Sequence, residues 1–320
     1  MQLLRFGFIL LCAAPCSATA QSTVVNTDQV RAELMAYAPR GLASGEPAWL
    51  GLAIRHQPHW HSYWKNPGDS GMATTLRWTL PQGVTAGAIE WPTPQRLRVG
   101  PLVNYGYEGE VLLPVALSVP AAFRAAALDV KLHAEWLVCR DVCIPQSGEF
   151  ALGIASGVNA RHAASFARAR AALPQTLAGA TALANVHGQT LAVDVNGLPA
   201  PWAGKAVQFF ADDPGVIDHA ARLEQRWEGG LLKLRVPLSA QRSESPQPMR
   251  AVLVADGGRA AIALNFAVEG GWPVPGAAPP QVPVQETAVP AADKTWLLPL
   301  VSILAALALG AFWLLRRARR

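Results

Sequence analysis

The chain has 320 residues, 51% of them hydrophobic and 15% charged, and its 27 basic and 22 acidic side chains give a formal charge of +5. That length allows one large or two ordinary domains. Setting aside Arg5 and the terminal Arg316, Arg317, Arg319 and Arg320 leaves 22 basic residues against 22 acidic ones, so the body is near neutral and no nucleic-acid footprint is expected.

Residues 1–20 read as a secretory signal. Arg5 supplies the positive start, residues 6–14 the apolar stretch, and Ala18-Thr19-Ala20 the small-residue cleavage site. Cys12 and Cys16 lie inside it, and Pro15 before Cys16 fits a lipoprotein box poorly. Cleavage would leave Cys139 and Cys143 as the only cysteines, in a protein exported to an oxidising compartment.

Residues 21–156 read as a first β-domain. Short apolar or alternating runs at 50–54, 76–80, 111–119, 130–138 and 150–154 are separated by Pro, Gly, Asn and Asp clusters such as Asn66-Pro67-Gly68-Asp69 and Pro81-Gln82-Gly83. Strands at this spacing predict an antiparallel sandwich or barrel. No helical pattern alternates with them, which argues against a parallel α/β sheet.

Three constellations in this region carry chemistry. The first is His56-Gln57-Pro58-His59-Trp60-His61, three imidazoles that could hold copper or zinc with Cys139 or Cys143, although the spacing of a four-ligand zinc site is missing. The second is the run from His61 to Gly71, followed by Trp78 and Trp91-Pro92. It reads as a partner-binding loop or, favoured by composition, as a β-turn with core tryptophans.

The third is the cysteine pair. Val130, Leu132, Ala134, Trp136 and Val138 fall on one face by period two, and Lys131, His133, Glu135 and Cys139 on the other, with Leu137 the exception. Cys139 is thus expected at a strand end on the more polar side, open to a partner. Arg140, Asp141 and Val142 form the turn, and Cys143 starts the return before Pro145. As a staple, a loop this small contributes only ~2 kcal/mol. As a dithiol, the pair lacks the Cys-x-x-Cys spacing and helix N-terminus of thioredoxin-like sites. Arg140 would favour a thiolate, and Asp141 and Glu135 would oppose it. Spacing alone leaves a structural bridge and a redox couple balanced.

Residues 157–270 read as a helix followed by a second β-rich domain. Residues 159–173 are rich in Ala and Arg and end at Pro174, the pattern of a helix joining two domains. Strands are expected at 191–195, 206–211, 231–236, 249–255 and 260–268, with hairpin turns at Gly229-Gly230 and Gly257-Gly258. Residues 271–294 carry six prolines and read as an extended spacer of at most roughly 70 Å. Residues 295–315 include an uncharged run of twenty, flanked by Trp296 and Trp313, as a membrane span requires. The arginines at 316–320, against Lys294 alone in front, put the C-terminus in the cytoplasm and the β-domains outside it.

His61-Ser62-Tyr63-Trp64-Lys65-Asn66-Pro67-Gly68-Asp69-Ser70-Gly71, Trp91-Pro92, Asn104-Tyr105-Gly106-Tyr107 and Trp136-Leu137-Val138-Cys139 with Cys143-Ile144-Pro145 occur in that order. Together they resemble the periplasmic N-terminal domain of the DsbD/ScsB thiol:disulfide interchange proteins. The resemblance implies an immunoglobulin-like β-sandwich whose cysteine pair relays electrons. On it, Cys143 forms the mixed disulfide with partners and Cys139 is the resolving thiol. It also implies a cap loop at residues 103–106, with Tyr105 as the covering side chain and Asn104 where an aromatic is expected, and Trp64 and Asp69 beside it.

Relatives continue into a multi-helix membrane domain with its own cysteines and then a thioredoxin-like domain, whereas this sequence shows one span without cysteine. The expectation is an all-β, inner-membrane-anchored periplasmic thiol-disulfide oxidoreductase. Its partners would be thioredoxin-like or disulfide-isomerase-like proteins, a separate membrane donor would reduce it, and it would use no cofactor and no metal. The alternatives are a non-catalytic adaptor with a structural disulfide, and the copper- or zinc-handling protein.

Overall fold

The structure, a computed structural model, describes residues 22–255 and 260–272. Contacts divide the chain into two units, Met1–Ala277 and Ala278–Arg320, and the described residues all belong to the first. The signal at 1–20, the Gly257-Gly258 turn, nearly all of the spacer, the span at 295–315 and the tail at 316–320 lie outside them. Among the described residues no helix is long and apolar enough to cross a membrane.

The first region is built from β1 (Val24–Asn26), β2 (Val30–Tyr37), β3 (Ala48–His56), β4 (His61–Gly68), β5 (Thr75–Thr79), β6 (Thr85–Ile89), β7 (Gln95–Val99), β8 (Leu102–Glu108), β9 (Glu110–Ser118), β10 (Ala127–Cys139) and β11 (Cys143–Ala155). One sheet runs β1-β2-β3-β9-β6; the other runs β11-β10-β4-β8-β7, with β5 paired to β10. Every pairing is antiparallel. The expected strands are all present, several of them longer than their apolar runs.

Period-two alternation decides what each face does. Leu128, Val130, Leu132, Ala134, Trp136 and Val138 of β10 point into the core, against Leu34, Leu50, Leu52, Ile54 and Leu113 of the facing sheet. A half-buried polar chain ties the sheets together: Trp136 Nε1 donates to Gln146 Oε1 (2.9 Å), and Gln146 Nε2 donates to Gln29 Oε1 (2.7 Å). This satisfies the indole that the core would otherwise strand.

Helix α1 (Ala163–Ala171) follows and does more than connect. Its buried Phe166 and Ala169 cover the outer face of the first sheet at Met35, Ala53 and Leu112. Beyond it lie β12 (Thr181–His187), β13 (Thr190–Asn196), β14 (Val207–Ala211), β15 (Glu224–Glu228), β16 (Leu231–Pro237), β17 (Met249–Ala255), β18 (Ala261–Phe266) and β19 (Val268–Glu269). They form a five-stranded sheet, β15-β16-β13-β12-β19, and a three-stranded one, β14-β17-β18. Gly229-Gly230 makes the two-residue turn between β15 and β16, with Gly229 at φ +60°.

Over most of β14 and β17 the three-stranded sheet is buried on both faces. Phe209, Ala211, Ala251 and Leu253 fill the second core. Phe210, Val252 and Val254, pointing the other way, join the core of the first region. The uninterrupted apolar run Ala251-Val252-Leu253-Val254-Ala255 is the sequence form of a strand with no solvent face. The two β-regions are therefore welded rather than linked by a hinge.

Candidate functional site

Strands β10 and β11 form a long hairpin whose last register pair is Cys139 opposite Cys143, joined as a disulfide with S–S 2.06 Å. Arg140, Asp141 and Val142 make the turn, closed by the Arg140 amide on the Val142 carbonyl (3.2 Å). Cys143 is exposed, but Cys139 is only 2% accessible. The expectation of an open Cys139 is corrected here. It does lie on the outward face of β10, but β4 pairs with β10 there and its side chains share that face.

Cys139 stands opposite His61 of β4, and His61 opposite Glu108 of β8. Cys143, Cys139, His61 and Glu108 thus form one row across four strands. Side chains of directly opposed residues project on the same face with Cβ atoms about 4.5–5.5 Å apart. Two residues along β4, Tyr63 is buried with its hydroxyl 3.6 Å from Cys143 Sγ, and its ring meets His61 edge-on at 5.2 Å. A disulfide sulfur has no proton, so the phenol donates. Burial raises the Tyr63 pKa, with a hydrogen bond to Ser70 acting the other way.

The backbone at Gly71 lies on the Tyr63 ring. A Cβ there would come within 2.2 Å of it, and Gly71 has φ +110°. Ser70 donates from both its amide (3.2 Å) and hydroxyl (3.0 Å) to Asn104 Oδ1. Gly71→Ala is expected to destabilise the protein by about 1–3 kcal/mol and to push Tyr63 away from Cys143. A lower thermal midpoint together with faster reduction of the bridge by dithiothreitol would show it. An unchanged midpoint would contradict this packing.

Trp64, Asn104, Tyr105 and Asp69 gather elsewhere. Trp64 alternates with Tyr63 and so faces the core, where Tyr105 and Phe210 meet it edge-on at 6.4 and 6.3 Å. Tyr105 packs against Phe210 at 4.7 Å and His219 at 4.9 Å, both from the second region. Asp69 accepts from the Val103 amide (2.7 Å) and from His219 Nδ1 (3.0 Å). Next to it Asn66 Nδ2 donates to the Ala211 carbonyl (2.8 Å), and Lys65 pairs with Asp212 (2.5 Å). Of the four, only Asn104 reaches the segment over Tyr63; Asp69 sits at its root and anchors it. The aromatic on the cysteine pair is Tyr63, and the alternation of His61 and Tyr63 with Ser62 and Trp64 is the signal that could have found it. Of the favoured reading of His61–Gly71, the core tryptophan holds for Trp64, and the turn is corrected: residues up to Gly68 are strand β4, and what they dock onto is this chain's own second region.

The three histidines separate. His59 is exposed at φ +68°, whereas His56 and His61 are buried at 7% and 2%. His56 Nδ1 donates to the Gly109 carbonyl (2.9 Å), and burial holds its pKa down at about 4. Burial also lowers His61, against the raising charge of Glu108. The Nε2 atoms of both have no hydrogen-bond partner among the described residues. Among the described residues no group of three or more His, Cys, Asp and Glu side chains is arranged to hold a metal.

The site is thus a β-sandwich that presents one accessible and one buried sulfur, joined as a disulfide, at the tip of a hairpin. Residues 30–154 match the family described as "Thiol:disulfide interchange protein DsbD, N-terminal". The fold is similar to the crystal structure of the N-terminal periplasmic domain of ScsB from Proteus mirabilis, with TM-score 0.59 and 19% identity over 79% of this chain and 99% of that one. That coverage exceeds residues 30–154, so the likeness of fold extends into the second β-region. No curated protein matches the sequence. Residues 30–154 are a DsbD/ScsB-type N-terminal domain, carrying its cysteine pair as a disulfide.

Proposed function

We propose that this protein is a periplasmic, membrane-anchored thiol:disulfide interchange protein that passes two electrons through Cys139 and Cys143 to thioredoxin-like or disulfide-isomerase-like partners. The carrying observation is the difference in exposure of the two sulfurs. In the reduced state the accessible Cys143 thiolate attacks a partner disulfide, forming a mixed disulfide and releasing one partner sulfur as a thiolate. The buried Cys139 thiolate then attacks Cys143 Sγ, the bond to the partner breaks, and the partner leaves fully reduced. The domains run as residues 21–156 and 157–270, and the secretory leader and the apolar segment at 295–315 support export and anchoring. The reductant is a second thiol system outside residues 22–272, whose only cysteines are this pair.

An accessible, exchanging bridge has a less negative potential than an inert one. The Cys139–Cys143 couple, equilibrated with glutathione, is expected above about −300 mV. A value far below that would make it a structural staple and end this reading.

A further inference from the structure

We propose that His61 is the proton acceptor and donor for Cys139, with the charge of Glu108 acting on it, so that the row across the sheet serves the resolving sulfur. The inference rests on the exchange reading above and names the group that drives its second step.

Three observations carry it. Glu108, His61, Cys139 and Cys143 are successive register partners on β8, β4, β10 and β11. His61 is 2% exposed and its Nε2 has no hydrogen-bond partner among the described residues. A buried polar atom left unpaired costs about 1–3 kcal/mol and calls for a reason. Opening the bridge supplies one, because reduction creates a thiol proton on the residue directly opposite. Cys139 also has little water to take its proton, being 2% exposed itself.

The groups facing His61 are compatible with a neutral imidazole. His56 lies close enough to disfavour a second charge and Glu108 favours one, while Tyr63 on its own strand is a neutral phenol. Arg140, beyond Cys139, is drawn onto the Trp60 ring and paired with Asp141.

In the mixed disulfide, His61 Nε2 takes the proton of Cys139. The thiolate attacks Cys143 Sγ and the Cys143–partner bond breaks. The partner sulfur leaves with the electron pair and is protonated by solvent. In the reverse direction a donor thiolate attacks Cys143, Cys139 leaves with the electron pair, and His61 passes it a proton drawn from solvent. In the forward step the imidazolium likewise gives its proton up to solvent. The protein itself needs no other acid or base.

The test uses the full chain, reduced and mixed with oxidised glutathione, following expulsion of glutathione from Cys143 by mass against pH. General-base catalysis commonly supplies about 10²–10⁴, and a partly ionised thiol needs less, so His61→Gln is expected to slow expulsion at neutral pH at least ~10-fold and to move the rising limb to higher pH. Glu108→Gln, an exposed change that keeps the fold, removes the charge that raises the imidazole and shifts that limb to lower pH. In a Cys139→Ser background, adduct formation is expected at the same rate with and without the His61→Gln substitution. Unchanged rates and pH profiles in both variants would overturn this role of His61 while leaving the exchange reading intact. Should His61→Gln not fold, the Glu108→Gln profile decides alone. Failure of any adduct to form on Cys143 would overturn the exchange reading and the role of His61 with it.

Discussion

Replacing Cys143 by serine is expected to abolish disulfide exchange, while Cys139→Ser lets the reaction begin and prevents it from finishing. The two substitutions are alike in sequence and opposite in consequence because of where the sulfurs stand. Cys143 opens the return strand β11 and is exposed, so a partner sulfur can reach it. Cys139 is enclosed between β11 and β4 at 2% exposure and can meet only a sulfur already attached to Cys143. The trapped species in Cys139→Ser is a mixed disulfide, visible as a mass increment equal to the captured thiol. With Cys143→Ser no such adduct forms, and the residual rate falls to that of a buried thiol. Accumulation of the adduct on Cys139 in the Cys143→Ser protein would reverse the assignment.

The second large effect lies away from the cysteines. Phe210 belongs to the second β-region but is fully buried in the core of the first, against Tyr105 and Trp64. Truncating a buried phenylalanine costs about 3–5 kcal/mol, and the lost edge-to-face contacts add to it. Phe210→Ala is therefore expected to lower stability by at least ~3 kcal/mol in chemical denaturation. It should also loosen the Asp69–His219 contact that roots the segment over Tyr63 and speed reduction of the bridge. Phe209→Ala is the control. Its side chain points into the second core, so stability falls and the reduction rate stays put. A Phe210→Ala protein that keeps both its stability and its reduction rate would refute the welded core.

Much of the first region was legible because its signals are local. Alternation along β10 separates core from outer face with no knowledge of the partner strand. The Cys139–Cys143 hairpin follows from two thiols flanking a polar turn in such a run. Strand β4 was obscured because Asn66-Pro67-Gly68-Asp69 carries the marks of a turn. Pro67 and Gly68 are tolerated at its very end, where the register with β8 shifts between Tyr63 and Gly68. Tyr105 was expected on the cysteine pair for want of a register. Its parity on β8 turns it inward, whereas Gly106, one residue on, is the one opposite Tyr63.

What the sequence determined alone was the all-β character, the two β-regions, the joining helix and the pair of sulfurs at one tip. These depend on periodicity and on neighbours within a few residues. Only the tertiary structure decided which sulfur is buried, that Tyr63 and not Tyr105 touches the pair, and that His61 and Glu108 extend its row. It also showed that the His61–Gly71 run, for which a partner-binding loop was the less favoured reading, is held by Asp212 and His219 of the same chain. Each of these depends on which strands lie side by side. Strand pairing is chosen by burial over the whole fold, and the alternation that marks a strand is the same whichever neighbour it takes.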